Sequence, residues 1–330
     1  MTTELKDKTD IVLSLYKTYY ASNATPDSLV SSHWKKYHQL ARISVHDNRV
    51  QSLKGEAFGV MENPTVYARI ISQLMNTSYF LSLNNKNAIR EISKSAKALC
   101  RKINFFYSYD CFRQVCALAL FIQHIPKDKA VNILCIGDGY GFFSFLAKAV
   151  FPKARLYLVD LGKTLLFQAH YGQMAYPHLI HQLIDESTNP QNLNNLAELT
   201  YCPAEHLDKL NNCLFDVAVN ISSMQEMNQD SVMNYFSFIR AHMPKENLFY
   251  CANRLEKIMP GGEVSRFFEY PWRSGDKHLI EEMCPWQKYV LSVHRSPRGP
   301  KVFNIRVPFV QYYDGDIYHR LTVLETAREP

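Results

Sequence analysis

Three of the chain's 12 glycines fall within five residues, Gly137-Asp138-Gly139-Tyr140-Gly141. In a glycine-poor chain, such a cluster marks backbone that must adopt dihedrals closed to other residues, or that something else must approach closely. An apolar run ends just before it at Ile136, and an apolar helical pattern begins just after it at Phe142. The expected structure is a strand turning sharply into a helix, with a ligand against the turn. A turn with no ligand would need one glycine, or two.

The surrounding sequence agrees. Strand patterns over 131–136, 155–159, 199–202, 215–220 and 248–252 alternate with helical patterns over 142–150, 163–172 and 230–242. Such alternation predicts a parallel sheet covered by helices on both faces, with ligands at the carboxyl ends of its strands. Before residue 125 the pattern is helical, over 8–20, 65–82, 88–103 and 109–123. The breaker segment His124-Ile125-Pro126-Lys127-Asp128 suggests a boundary, with 1–125 as a helical cap or substrate region and 126–330 as the α/β domain. Two β-rich runs within 301–325 flank Asp314-Gly315 and predict an antiparallel hairpin at the sheet edge. The polar stretch 185–195 reads as a surface loop.

Composition narrows the class. At 330 residues, with 47 % hydrophobic and 21 % charged residues, the chain can bury a large core, which excludes disorder as a description of the whole. The longest apolar run, Val115 to Ile122, is far short of the roughly 18 residues a membrane helix requires. The start, MTTELKDKTD, mixes both charge signs and does not read as a secretion signal. The eight cysteines form no CxxC pair and read as free thiols in a reducing cytosol, so a cytoplasmic location is expected. The net charge of +6 falls well short of a nucleic-acid footprint. Lys94, Lys97 and Arg101 share one helical face, read as solvated. His178 and His181 have i, i+3 spacing but no third ligand nearby, and no metal site is assigned.

Spacing selects among nucleotide-type ligands. A dinucleotide fingerprint, G-x-G-x-x-G, places its third glycine one residue later than Gly141, where the bulky Phe142 stands. No P-loop string occurs. The second strand ends at Asp160, where a carboxylate can accept hydrogen bonds from both ribose hydroxyls. A ribose-bearing ligand fits. The G-x-G-x-G exit with an acid closing the second strand resembles the class I S-adenosylmethionine-dependent methyltransferases. More narrowly, Asn220-Ile221-Ser222-Ser223-Met224-Gln225-Glu226-Met227, followed by a helix bearing Tyr235-Phe236, is similar to the sugar O-methyltransferases associated with bacterial polysaccharide genes. Residues 105 to 255 carry the resemblance.

The resemblance implies a Rossmann-like α/β methyltransferase sheet with a helical N-terminal cap and a C-terminal antiparallel hairpin, using S-adenosylmethionine to methylate a sugar hydroxyl of a glycan or nucleotide-sugar. On this reading Gly137, Gly139 and Gly141 line the methionine part of the cofactor, while Asp138 and Tyr140 shape the loop. Asp160 holds the ribose, Ala204 and Glu205 flank the adenine, and Asn220 faces the methionine moiety. Glu226 is expected as general base or metal ligand, the alternative being an acid favoured at a helix N-terminus. Ser222 and Gln225, with Ser223, are expected either to bind a polyol or to serve as caps, and His206 to reach the same cleft. Arg273, Asp276 and His278 form a candidate lid. A divalent metal is left open without a ligand signature, and so is self-association. The competing readings are methylation of another small metabolite, cofactor binding without turnover, and a nicotinamide oxidoreductase.

Overall fold

The computed structural model describes residues 10–22, 26–39, 41–46, 49–55, 64–193, 196–291, 299–302, 304–306 and 310–326. Eight helices are α1 (Ile11–Leu15), α2 (Ser32–His38), α3 (Val66–Ser82), α4 (Lys86–Lys102), α5 (Tyr109–Phe121), α6 (Phe142–Val150), α7 (Gly162–Ala175) and α8 (Gln229–His242). The central sheet has eight strands: β1 (Asn132–Ile136), β2 (Arg155–Asp160), β3 (His181–Leu183), β4 (Leu199–Pro203), β5 (Val217–Ile221), β6 (Leu248–Arg254), β7 (Lys277–Met283) and β8 (Ile317–Val323). Their spatial order is β7-β8-β6-β5-β1-β2-β4-β3. The strands from β6 to β3 are parallel, and β8 runs antiparallel between β6 and β7.

Alternation builds the layers. In β1, Ile133 and Cys135 face the core formed with α4 to α7, whereas Leu134 and Ile136 face the core beneath α8. A strand buried on both faces is the mark of a sheet covered by helices on each side. Within α4, Ile89, Ile92, Ala96 and Leu99 are buried at helical spacing, and Lys94, Lys97 and Arg101 stand in solvent as expected. Among the described residues no helix is long and apolar enough to cross a membrane. All eight cysteines are unpaired thiols, seven of them buried.

Two expectations are corrected, the terminal hairpin and the lid. The antiparallel pair at the sheet edge consists of β7 and β8, while the other arm of the expected hairpin, Val310–Tyr312, pairs with Tyr289–Leu291. Gly315 (φ 106°) therefore turns the chain out of one small sheet and into the large one. The segment 124–128 is a turn, and α4 and α5 before it share one cluster of buried residues with α6 after it. The lid assigned to Arg273, Asp276 and His278 is structural: His278 Nδ1 lies 2.9 Å from Thr322 Oγ1 on the neighbouring strand, and Asp276 is buried against Arg240. Among the elements that escaped the sequence reading are helix α2, strands β3 and β7, and the hairpin of Arg42–His46 with Arg49–Lys54. His181 lies in β3, with Nδ1 against Tyr201 Oη and Nε2 against Tyr176 O, and is occupied there rather than presented to a metal. The basic string His294-Arg295-Ser296-Pro297-Arg298-Gly299, which by sequence reads as a solvated loop, lies outside the described residues except for Gly299.

Candidate active site

From β1 the chain crosses to β2 on one side, and it later returns to β5 on the other, so the carboxyl ends of β1 and β5 diverge into a crevice. The glycine loop leaves β1 there. Gly137, Gly139 and Gly141 have φ of 71°, 55° and 80°, the left-handed region where a side chain costs about 1–2 kcal/mol. The loop's acid secures the turn: Asp138 Oδ1 accepts from Phe143 N (3.3 Å), and Oδ2 accepts from Ser144 N (2.7 Å) and Ser144 Oγ (2.5 Å). These are the orphan donors of the first turn of α6. Burial pushes the Asp138 carboxyl up to about 6. Tyr140 packs among Phe105, Phe167 and Tyr171, and its hydroxyl donates to Gly55 O.

Asp160 ends β2 facing the same crevice. Its Oδ1 accepts from Leu161 N and its Oδ2 from Gln168 Nε2, both at 2.8 Å. The Gly139 backbone N–H also bonds this carboxylate, so of its roughly four lone-pair sites about one remains for a ligand hydroxyl. Burial raises this acid to about 7. Hydroxyl donors favour the charged form, so a ligand binding there releases a proton whenever Asp160 begins protonated. Affinity for an adenosyl ligand is therefore expected to rise as pH increases through 7 and to level off above it. Calorimetric titrations between pH 5.5 and 8.5 check this, and a flat profile contradicts it.

A cavity of about 320 Å³ is lined by residues 137–140, Phe142, Asp160, Ser222, Ser223 and Glu226. A second, of about 280 Å³, shares Trp34, Asp160, Ser223 and Glu226 with it and adds Leu161, Ala204 and Tyr235. The structure thus brings Asp160, Ala204, Ser222 and Glu226 together with the glycine loop. Four other expected residues are placed elsewhere. Glu205 lies beside Tyr19 and His206 in the following turn, and neither lines these cavities. Asn220 is fully buried: its Oδ1 accepts from Met224 N and Asn253 Nδ2, and its Nδ2 donates to Ile136 O, so its side chain ties β5 to β1. Gln225 Oε1 accepts from Arg254 N, turning that side chain into the interior. Short polar side chains at a strand exit satisfy local backbone more readily than they reach a ligand.

Glu226 reaches the cavity but is not free. Oε1 accepts from Lys257 Nζ at 2.5 Å, and His33 Nε2 stands 3.3 Å from Oε2. Burial alone would raise its carboxyl; His33 and the Lys257 ammonium outweigh that and hold it below the usual carboxylate range. Ser222, which lines the same cavity, has φ 58°, a strained conformation for a residue with a side chain. Among the described residues no group of three or more His, Cys, Asp or Glu is placed to hold a metal. Sequence reasoning missed Trp34 and His33, which a short helix far away in sequence folds over the crevice. It also missed Asp110, Arg113 and Gln114 on α5, whose signal is polar residues at i, i+3 and i+4 in an otherwise apolar helix.

No protein-family profile matches the sequence, and no curated protein does either. Among solved structures the chain is similar to PKMT2 from Rickettsia typhi in complex with AdoHcy (18 % identity, 40 % of this chain and 21 % of that one, TM-score 0.28). It is also similar to the cyclopropane synthase MmaA2 from Mycobacterium tuberculosis (14 % identity, 52 % and 63 %, TM-score 0.37). A third likeness is to precorrin-6y C5,15-methyltransferase from Geobacter metallireducens GS-15 (9 % identity, 63 % and 88 %, TM-score 0.34). The chain spans less than two thirds of the length of the first two.

Proposed function

We propose that the chain is an S-adenosylmethionine-dependent O-methyltransferase whose acceptor is a sugar hydroxyl. The observation that carries the reading is the succession of three left-handed glycines facing a buried carboxylate at the divergence of β1 and β5. The residues present fit such a donor. Backbone at 137–141 takes its amino-acid end, Asp160 its ribose hydroxyls, and the lobe by Ala204 and Tyr235 its ring. A dinucleotide fits less well, because the third glycine comes early and β8 runs antiparallel within the sheet.

Bound there, S-adenosylmethionine supplies an activated methyl: a C–O bond to the acceptor forms as the C–S bond breaks with its pair staying on sulfur, and the hydroxyl proton is released. The protein's part is orientation more than acid–base strength. Glu226, held ionised, accepts a hydrogen bond from the acceptor hydroxyl and keeps its oxygen aimed. Replacing it by Gln is expected to lower kcat about 100-fold while leaving affinity for S-adenosylhomocysteine intact. Because this acid titrates below the usual range, it adds no inflection to the rate between pH 5 and 8. Unchanged turnover in Glu226→Gln refutes the role.

Calorimetry with S-adenosylhomocysteine and NAD separates methyltransferase from oxidoreductase, and transfer of labelled methyl to a panel of glycosides tests the acceptor. Binding of S-adenosylhomocysteine with no transfer to any acceptor would favour a cofactor-binding protein without turnover.

A further inference from the structure

Beyond the glycine loop, Asp160 and Glu226, the lining of the cavity of about 320 Å³ includes Trp34, Asp110, Arg113, Gln114, Gln287 and Tyr313, the lobe left for an acceptor. Resting on the methyltransferase reading above, we infer that this lobe takes an uncharged polyol and discriminates against phosphorylated or carboxylated sugars. Three observations carry it. Arg113, the one cation lining this cavity among the described residues, is already neutralised by an ion pair with Asp110 one turn earlier on α5. Its guanidinium is also held between the rings of Tyr109 and Tyr313, 5.3 and 5.6 Å from their centroids. An anion entering the lobe must compete with Asp110 for that group.

The remaining polar groups are neutral. Gln114 Oε1 is buried without a hydrogen-bond partner, an acceptor that a ligand hydroxyl would satisfy. Gln287 is buried too, and its Oε1 accepts from Ser222 Oγ at 3.4 Å, linking the lobe to the strained residue at the exit of β5. Carboxamides both donate and accept, matching hydroxyls, which do the same. The Trp34 ring adds apolar surface to the cavity wall, suited to the C–H face of a pyranose.

The test pairs neutral glycosides with the same sugars bearing a phosphate or uronate group, using wild type and Gln114→Leu, with S-adenosylhomocysteine affinity measured separately. Wild type is expected to show kcat/KM at least about tenfold higher for the neutral acceptors. Gln114→Leu is expected to raise their KM about tenfold with cofactor affinity and kcat little changed, as loss of one hydrogen bond requires. Failure of S-adenosylhomocysteine to bind wild type overturns the parent reading. If it binds, transfer to neither class overturns both readings, whereas transfer only to charged acceptors or an unchanged KM in Gln114→Leu overturns this inference alone.

Discussion

Gly137→Ala is expected to abolish measurable binding of S-adenosylhomocysteine. A Cβ at this position would lie 1.8 Å from Ser223 Oγ and 2.4 Å from Ser223 Cβ. Rotating the hydroxyl away leaves the second clash, so the exits of β1 and β5 must separate. Overpacking of this kind costs about 1–3 kcal/mol. The left-handed φ of 71° adds about 1–2 kcal/mol for any residue with a side chain. Both costs fall on the crevice itself, and a combined loss on the order of 3 kcal/mol weakens binding by more than 100-fold. Gly262→Ala is the comparison: its φ is also positive, at 92°, but nothing lies within 4 Å of the added carbon. That variant is expected to lose a little stability and keep its affinity. Equal affinities in the two variants would mean that the crevice does not hold the ligand.

Arg240→Ala is expected to be the most damaging change to stability outside the site. Its side chain is 3 % exposed and that of Asp276 is fully buried. The guanidinium donates to both Asp276 oxygens, at 2.7 and 2.8 Å, and to the carbonyls of Pro271 and Glu325. It thereby fastens α8 to the turn before β7 and to the chain leaving β8. Removing one partner leaves a buried carboxylate unpaired, at a cost of about 3–5 kcal/mol. For a chain of this size that lowers Tm by roughly 4–7 °C. Burial by itself would raise the Asp276 carboxyl, but the hydrogen bonds from Arg240 and the backbone hold it below the ordinary range. The pair therefore stabilises the fold above the unfolded-state pKa and is lost only as pH falls through the depressed folded value. The variant should lose part of that acid-side dependence. A Tm shift below 2 °C would contradict the assignment.

What the sequence made legible was whatever depends on neighbours along the chain. The glycine loop, the strand patterns from 131 to 252 and the acid ending β2 are local signals, and each predicted element lies at or within a few residues of its position in the fold. Non-local pairing was not legible. Strand β8 reads as one arm of a hairpin until the sheet shows it inserted between β6 and β7, more than 30 residues from one and 60 from the other. Side-chain direction was the other gap. Asn220 and Gln225 have the chemistry to bind a ligand, yet backbone groups nearby claim them first, whereas Glu226 reaches the cavity and meets Lys257 and His33. Trp34 and Gln114 belong to segments whose place over the crevice only tertiary packing determines.

The most direct measurement is a crystal structure with S-adenosylhomocysteine soaked or co-crystallised. The expected result has the ribose hydroxyls on Asp160, the amino-acid end along 137–141, and the sulfur facing Ser222 and Glu226. Density for the ligand elsewhere, or the Phe142 ring filling the crevice with the ligand excluded, would contradict the account.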